Sequence, residues 1–168
     1  GVDYIDGGAG TSDVFYAYDL NTSLFAYGMT PVTNGINVDL QNGIILDDGF
    51  GNTEIITNIE NVHGTSFDDI IVGSSTNNNT RSIHFGFEGN DYIAGADNVN
   101  WFHGGDGDDI LIGYGRDDSL RGNAGHDTAV FVGEFTNYTI DETNPSVTYV
   151  EDLTGVDGRD ALRDIEVL

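Results

Sequence analysis

The stretch GGDGDDILIGYGRDDSLRGNAGHDTAV, residues 104–130, returns an aspartate at positions 109, 118 and 127, nine residues apart. Each is preceded by glycines and followed two places later by an apolar residue, Leu111, Leu120 or Ala129. A fixed period of this kind decides the fold reading before any single motif does. Cutting at the same glycines extends the beat upstream. GTSFDDIIV (64–72), GFEGNDYIA (86–94) and GADNVNWFH (95–103) join GGDGDDILI (104–112), GYGRDDSLR (113–121) and GNAGHDTAV (122–130). Asp69, Asp91, Asp109, Asp118 and Asp127 hold the sixth place, and Asn100 holds it in the remaining segment.

The eighth places, Ile71, Ile93, Phe102, Leu111, Leu120 and Ala129, are all apolar, whereas the seventh and ninth are mixed. A three-residue strand with only its middle side chain turned inward gives that pattern. Each nonapeptide therefore reads as a six-residue turn plus a short strand, with glycines where the turn needs positive φ or close backbone approach. Two nonapeptides make one coil, which aligns Asp91, Asp109 and Asp127 in one column and Asn100 with Asp118 in another. Asp69 joins the first column if GSSTNNNTRSIHF (73–85), 13 residues where nine are expected, bulges outward.

Composition limits the partners. The chain of 168 residues carries 29 acidic against five basic residues, a formal charge of −24, and its bases are all arginine. Nucleic acid and anionic membrane are poor matches for such a surface. With 38% hydrophobic residues the chain buries an ordinary core, as one elongated module rather than two domains. No cysteine is present, so disulfides and thiolate zinc sites are excluded. No stretch reads as an export signal or reaches the roughly 18 apolar residues of a membrane span, so export would rely on a signal outside this sequence.

Carboxylates stacked about 5 Å apart repel by roughly 3 kcal/mol per pair at an effective dielectric near 20. No lysine is available, and one turn arginine, Arg116, cannot serve a column. Carboxylates with the carbonyls of glycine-rich turns are hard oxygen ligands of the kind Ca²⁺ takes.

These segments resemble the GGxGxDxUx repeat of the RTX, or hemolysin-type calcium-binding, family, over residues 64–130. The resemblance implies an all-β, right-handed parallel β-roll with calcium between stacked turns. It implies carbonyls at places two and four with the aspartate of one turn, and carbonyls at places one and three with the aspartate of the next. Two sites follow first: Phe87, Gly89 and Asp91 with Gly104, Asp106 and Asp109; and Gly105, Gly107 and Asp109 with Gly122, Ala124 and Asp127. A third joins Thr65, Phe67 and Asp69 to Gly86, Glu88 and Asp91. On the second edge, Ala96, Asn98 and Asn100 face Gly113, Gly115 and Asp118, with Asn100 supplying a neutral oxygen and Tyr114 and Arg116 standing where glycines are usual. The resemblance further implies type I secretion from a Gram-negative bacterium, as a folding module of a toxin or adhesin.

The remaining segments read as flanks. Residues 1–16 fit a partial repeat, in which Asp13 rather than Ser12 is favoured for the ligand place. Residues 17–63 read as a longer-stranded interlude, 64–130 as the nonapeptide block, and 131–168 as a second interlude or C-terminal flank. ITNIE (56–60) reappears as LRDIE (162–166), and DVFYAYDL from 13 resembles DTAVFVGEF from 127, so one unit is followed by the opening of another.

No nucleophile elbow, HExxH or P-loop occurs, so catalysis is not expected. His63, His84, His103 and His126 read as surface histidines. Trp101, His103, Ser119 and Arg121 should face outward together, an aromatic plane beside arginine that suits a sugar acid. That raises a competing expectation, a carbohydrate-binding appendage of an extracellular polysaccharide-modifying enzyme such as an alginate epimerase or lyase. Tyr92, Ile110, Ile112 and Val130 should form an apolar stripe on the opposite sheet, with 131–168 the nearest cover.

Overall fold

A computed structural model describes residues 3–10, 12–17, 32–75 and 81–168, in which short strands alternate with turns. Among these the protein is all-β, with sixteen strands in two mixed, unclosed eight-stranded sheets and one 3-10 turn, Phe135–Asn137. One sheet, here sheet A, contains β1 (Tyr4–Asp6), β3 (Asn37–Asp39), β4 (Ile44–Asp47), β5 (Glu54–Thr57), β7 (Ile70–Val72), β9 (Tyr92–Ala94), β11 (Ile110–Ile112) and β13 (Thr128–Ala129). Sheet B contains β2 (Val14–Tyr16), β6 (Asn61–His63), β8 (Ser82–Glu88), β10 (Asn100–Asp106), β12 (Ser119–Ala124), β14 (Tyr138–Asn144), β15 (Val147–Asp152) and β16 (Arg159–Arg163).

From β6 to β13 the chain alternates between the sheets, and each strand pairs in parallel with the one two elements later. Ile110 lies beside Tyr92 and Thr128, and Trp101 beside Ser119, all at the 18-residue spacing read from the sequence. The 13-residue insertion shifts the spacing without breaking it, since Ile70 still pairs with Tyr92. Residues 76–80 at its centre lie outside the described set.

The core lies between the sheets and is built from the eighth places. Ile71, Ile93, Phe102, Leu111, Leu120 and Ala129 are all completely buried. His84 takes the same inward place on β8, against Phe102 at a ring separation of 5.1 Å. It is therefore a core residue, not a surface histidine: Val62 N–H donates to its Nδ1 at 3.1 Å, and burial lowers its pKa to about 3.

Three further expectations are corrected. The strands in 37–63 are short, three or four residues, with β3, β4 and β5 forming an antiparallel meander; strands of six or seven residues are β8, β10 and β12 around the nonapeptide block and β14 and β15 in the C-terminal flank. There the pairing runs on past the ninth place into the turn, as Gly105 opposite Phe87 and Asn123 illustrates. Residues 138–163 do not cover sheet A but extend sheet B as β14, β15 and β16. Of the expected stripe Ile110 is exposed, Tyr92 and Val130 are half-buried, and Ile112 is buried.

Candidate metal centre

The sixth-place side chains close the turns by reaching back one coil. Asp69 N–H donates to Asp91 Oδ1 at 2.8 Å, Asp91 N–H to Asp109 Oδ1 at 2.8 Å, and Asp109 N–H to Asp127 Oδ1 at 3.0 Å. On the other edge, Asn100 N–H donates to Asp118 Oδ1 at 2.6 Å. The predicted columns therefore exist, and Asp69 belongs to the first.

The second oxygen of each carboxylate is the chemically significant one. Oδ2 of Asp91, Asp109, Asp118 and Asp127 is buried and receives no hydrogen bond. In each case it lies against the first-place glycine of its own turn, Gly86, Gly104, Gly113 or Gly122, where an added Cβ would collide with it. These glycines are required for space rather than for an unusual φ. The second and fourth places differ: Phe87, Gly105, Tyr114 and Asn123 at place two, and Gly89, Gly107, Arg116 and Gly125 at place four, all have positive φ. Tyr114 and Arg116 accept the conformation at φ 65° and 79° without being glycine, a cost the turn carries locally.

Carbonyl oxygens converge on the same gaps. The Gly104 carbonyl approaches the Cβ direction of Gly86, beside Asp91 Oδ2; the Phe87 and Gly89 carbonyls point forward at Gly105 and Gly107. The Asp106 and Ala124 carbonyls point back, accepting N–H bonds from Gly89 at 2.9 Å and Gly107 at 2.8 Å. The structure thus brings Asp91 Oδ2 and the Gly104 carbonyl of the first predicted set to one point and stacks Asp109 on Asp127 in the second, with the Asp106 and Ala124 carbonyls engaged in the ladder.

The third set is assembled too, but Asp69 differs from its neighbours. Thr65 N–H donates to its Oδ2 at 2.6 Å, Thr65 Oγ1 to its Oδ1 at 2.9 Å, and Ile36 N–H to Oδ1 at 2.7 Å. Thr65, in its own turn, supplies the donors that the other aspartates lack, while the Ile36 bond matches the one the other column aspartates accept.

The second edge corrects the expected role of Asn100. Its Nδ2 donates to the carbonyls of Ala96 (3.2 Å), Asn98 (2.8 Å) and Gly113 (2.9 Å) and to Asp118 Oδ1 (3.1 Å). An NH₂ group, not an oxygen ligand, occupies that gap. Its four oxygen partners also show how closely the turn backbones focus oxygens on one point. Gly115, the other predicted member, faces Asp97 and the Val156 carbonyl instead.

Electrostatics single out the same carboxylates. Burial pushes Asp91 up to about 8, with Asp69 and Asp109 adding repulsion. Burial likewise raises Asp109 to about 6 and Asp118 to about 9, and lifts Asp127 and Asp69. None of the five arginines answers this charge. Arg116 and Arg121 pair with Asp97 and Asp164 at the surface, Arg81 and Arg159 lie over the rings of Trp101 and Tyr149, and Arg163 donates to Ser119.

Among the described residues no three acidic or imidazole side chains converge as a metal cluster. The donor set is instead carboxylate oxygens with main-chain carbonyls, which suits a hard, oxygen-seeking cation of flexible coordination.

The structure adds column members that the nonapeptide reading passes over. Asp118 N–H donates to Asp160 Oδ1 at 2.8 Å, and Leu162 pairs with Leu120 in the core. GVDGRDALR (155–163) is thus another in-frame nonapeptide, with Gly155, Gly158, Asp160 and Leu162 at places one, four, six and eight. GFGNTEIIT (49–57) follows the same frame with Glu54 at place six, and Glu54 accepts the N–H of Asp3. Asp13, not Ser12, takes the sixth-place position near the N-terminus, its N–H donating to Glu60 Oε2 at 2.9 Å.

The outward residues of sheet B also lie as expected. Trp101 and His103 project from β10 beside Ser119 and Arg121 of β12. Trp101 lies under the Arg81 guanidinium, 3.7 Å from its centroid, and His103 stacks on Phe85 at 4.7 Å. No protein-family model matches the chain, and no curated protein matches it.

Proposed function

We propose that this chain is a calcium-binding, RTX-like parallel β-roll that folds on binding Ca²⁺ outside the cell, as a non-catalytic module of a larger type I-secreted toxin or adhesin of a Gram-negative bacterium. One observation carries the reading: four column aspartates each hold a buried carboxylate oxygen with no partner, and at Asp91 and Asp127 a main-chain carbonyl, of Gly104 or Asp164, converges on the same point. Leaving such groups charged and unpaired is costly, and an ion held between successive turns removes the cost. The residues that would hold it are Asp91 and Asp109 with the Phe87, Gly89 and Gly104 carbonyls, and Asp109 and Asp127 with those of Gly105, Gly107 and Gly122. Bound calcium supplies positive charge and open coordination positions for these oxygens.

The net charge of −24 favours the same switch. Self-repulsion opposes compaction where calcium is scarce, and mass action favours the fold where it is plentiful. At free Ca²⁺ about tenfold above a millimolar-range Kd each site adds roughly 1.4 kcal/mol. Three sites add about 4 kcal/mol, comparable with the whole stability of a marginal domain, about 5 kcal/mol. Far-UV circular dichroism of chelator-treated protein should change from a coil-like to a β spectrum on adding Ca²⁺ but not equimolar Mg²⁺. A β spectrum independent of Ca²⁺ would count against the proposal.

A second reading has its own support. The outer face of sheet B gathers Arg81, Arg121 and Arg163 with His63 and His103, in a chain with only five arginines. A carboxylated polysaccharide is the ligand this face suits, as in an appendage of an alginate epimerase or lyase. Quenching of Trp101 fluorescence by acidic oligosaccharides supports it, and a silent titration removes it.

A further inference from the structure

We infer that the chain has a further kind of divalent-cation site outside the nonapeptide frame, in which Glu166 closes the first aspartate column and Glu60 does the same opposite Asp13. The inference rests on the calcium reading of the columns.

The column does not stop at Asp127. Asp127 N–H donates to Glu166 Oε2 at 2.8 Å, the bond that Asp91 and Asp109 make to the next aspartate in line. Glu166 and Val167 N–H both return to the Asp127 carbonyl, at 3.1 and 3.0 Å. Asp127 is fully buried, and its Oδ2 has no partner. Beside Gly122 that oxygen shares one point with the main-chain carbonyl of Asp164, which an added Cβ would strike together with it. Asp164 adopts positive φ, 52°, rare for a residue with a side chain, in the turn that presents this carbonyl. The point therefore has a buried unpartnered carboxylate oxygen, a carbonyl, and the Glu166 carboxylate bonded to the same turn.

The arrangement occurs twice. Asp13 N–H donates to Glu60 Oε2 at 2.9 Å, and Glu60 and Asn61 N–H return to the Asp13 carbonyl at 3.1 and 3.0 Å. Asn58 has φ 54° and directs its carbonyl at Gly7, as Asp164 does at Gly122. Asp13 Oδ2 is again buried without a partner, here beside Gly10, while the Asn58 carbonyl lies at Gly7. Glutamate at this position keeps a carboxylate acceptor for the aspartate N–H. TNIEN and RDIEV, which share Ile and Glu at the same places, each give an aspartate N–H the same glutamate acceptor and present a carbonyl from a positive-φ residue two places before it.

The test is a count of bound ions on the whole chain, by calorimetric Ca²⁺ titration, for wild type, Glu166→Gln, Glu60→Gln and the exposed control Glu151→Gln. Gln keeps the acceptor that Asp127 or Asp13 needs. Glu166→Gln and Glu60→Gln should each lose one Ca²⁺ per chain, and Glu151→Gln none. Unchanged stoichiometry in Glu166→Gln and Glu60→Gln overturns the inference while leaving the nonapeptide sites standing; a wild type that binds no Ca²⁺ overturns both readings. Should a variant fail to fold, the Glu166 side-chain carboxylate resonance of wild type answers instead. It should shift with Ca²⁺ in step with Asp127, and a resonance unmoved at saturation overturns the inference.

Discussion

Asn100 and Asp109 hold the same place in their turns and meet opposite needs. Asn100 brings its own hydrogens to a cluster of four oxygens, whereas Asp109 brings a further negative charge to a column that already contains Asp91 and Asp127. Asp109→Asn keeps the Oδ1 acceptor for Asp91 but removes a buried charge shared by two gaps. The metal-free protein should become more resistant to urea, while the stabilisation gained on adding Ca²⁺ falls by about two sites' worth, about 3 kcal/mol at tenfold above Kd. Denaturation with and without chelator checks both signs. Asn100→Asp is the converse: it should add one Ca²⁺ to the calorimetric stoichiometry and weaken the metal-free fold. An unaltered ion count would show that the oxygens focused on Asn100 Nδ2 do not make a cation cradle.

At the scale of elements, the strand β16 decides where the stacked region ends. Its parallel register with β12, Leu162 beside Leu120, places 155–163 in the same stack despite 33 intervening residues between the segments 113–121 and 155–163, which include the hairpin β14–β15. Leu162→Ala should therefore cost as much as Leu120→Ala, about 2–5 kcal/mol each in the calcium-loaded protein. A Leu162→Ala change within experimental error of wild type, measured by urea unfolding, would demote the segment to a loosely docked flank. The inward eighth places and the 18-residue step were legible in the sequence because period and polarity both follow from one strand facing one core. GVDGRDALR was legible too, with Gly, Gly, Asp and Leu in frame, but its distance from the block concealed it. The roles of Glu60 and Glu166 were visible only as the likeness of ITNIE to LRDIE, because which oxygen a side chain reaches depends on how a flank returns to the stack. His84 was misread because imidazole in an otherwise apolar place looks like an exposed residue until the coil is wound.

For the molecule as a whole, the columns make stability answer to protons, and in the proposed reading to calcium as well. Asp91, Asp109, Asp118 and Asp160 are raised by burial to about 8, 6, 9 and 7. Between about pH 4 and these values the metal-free native state binds more protons than the unfolded chain, so its stability falls as pH rises through that window. Below it both states are protonated, and the penalty is absent. In chelator the urea midpoint should be higher at pH 5 than at pH 9, and saturating Ca²⁺ should reduce or reverse that order, because the ion takes the place of the proton. Equal midpoints at the two pH values in chelator would mean that the carboxylates are not desolvated as the geometry requires.

The most direct measurement is a crystal structure of the chain grown in millimolar Ca²⁺, with an anomalous difference map at a long wavelength. The account predicts peaks between Asp91 and Asp109 and between Asp109 and Asp127, each ringed by turn carbonyls 2.3–2.6 Å away, roughly the calcium–oxygen range. Water alone in those gaps, with the aspartates still stacked, would contradict it.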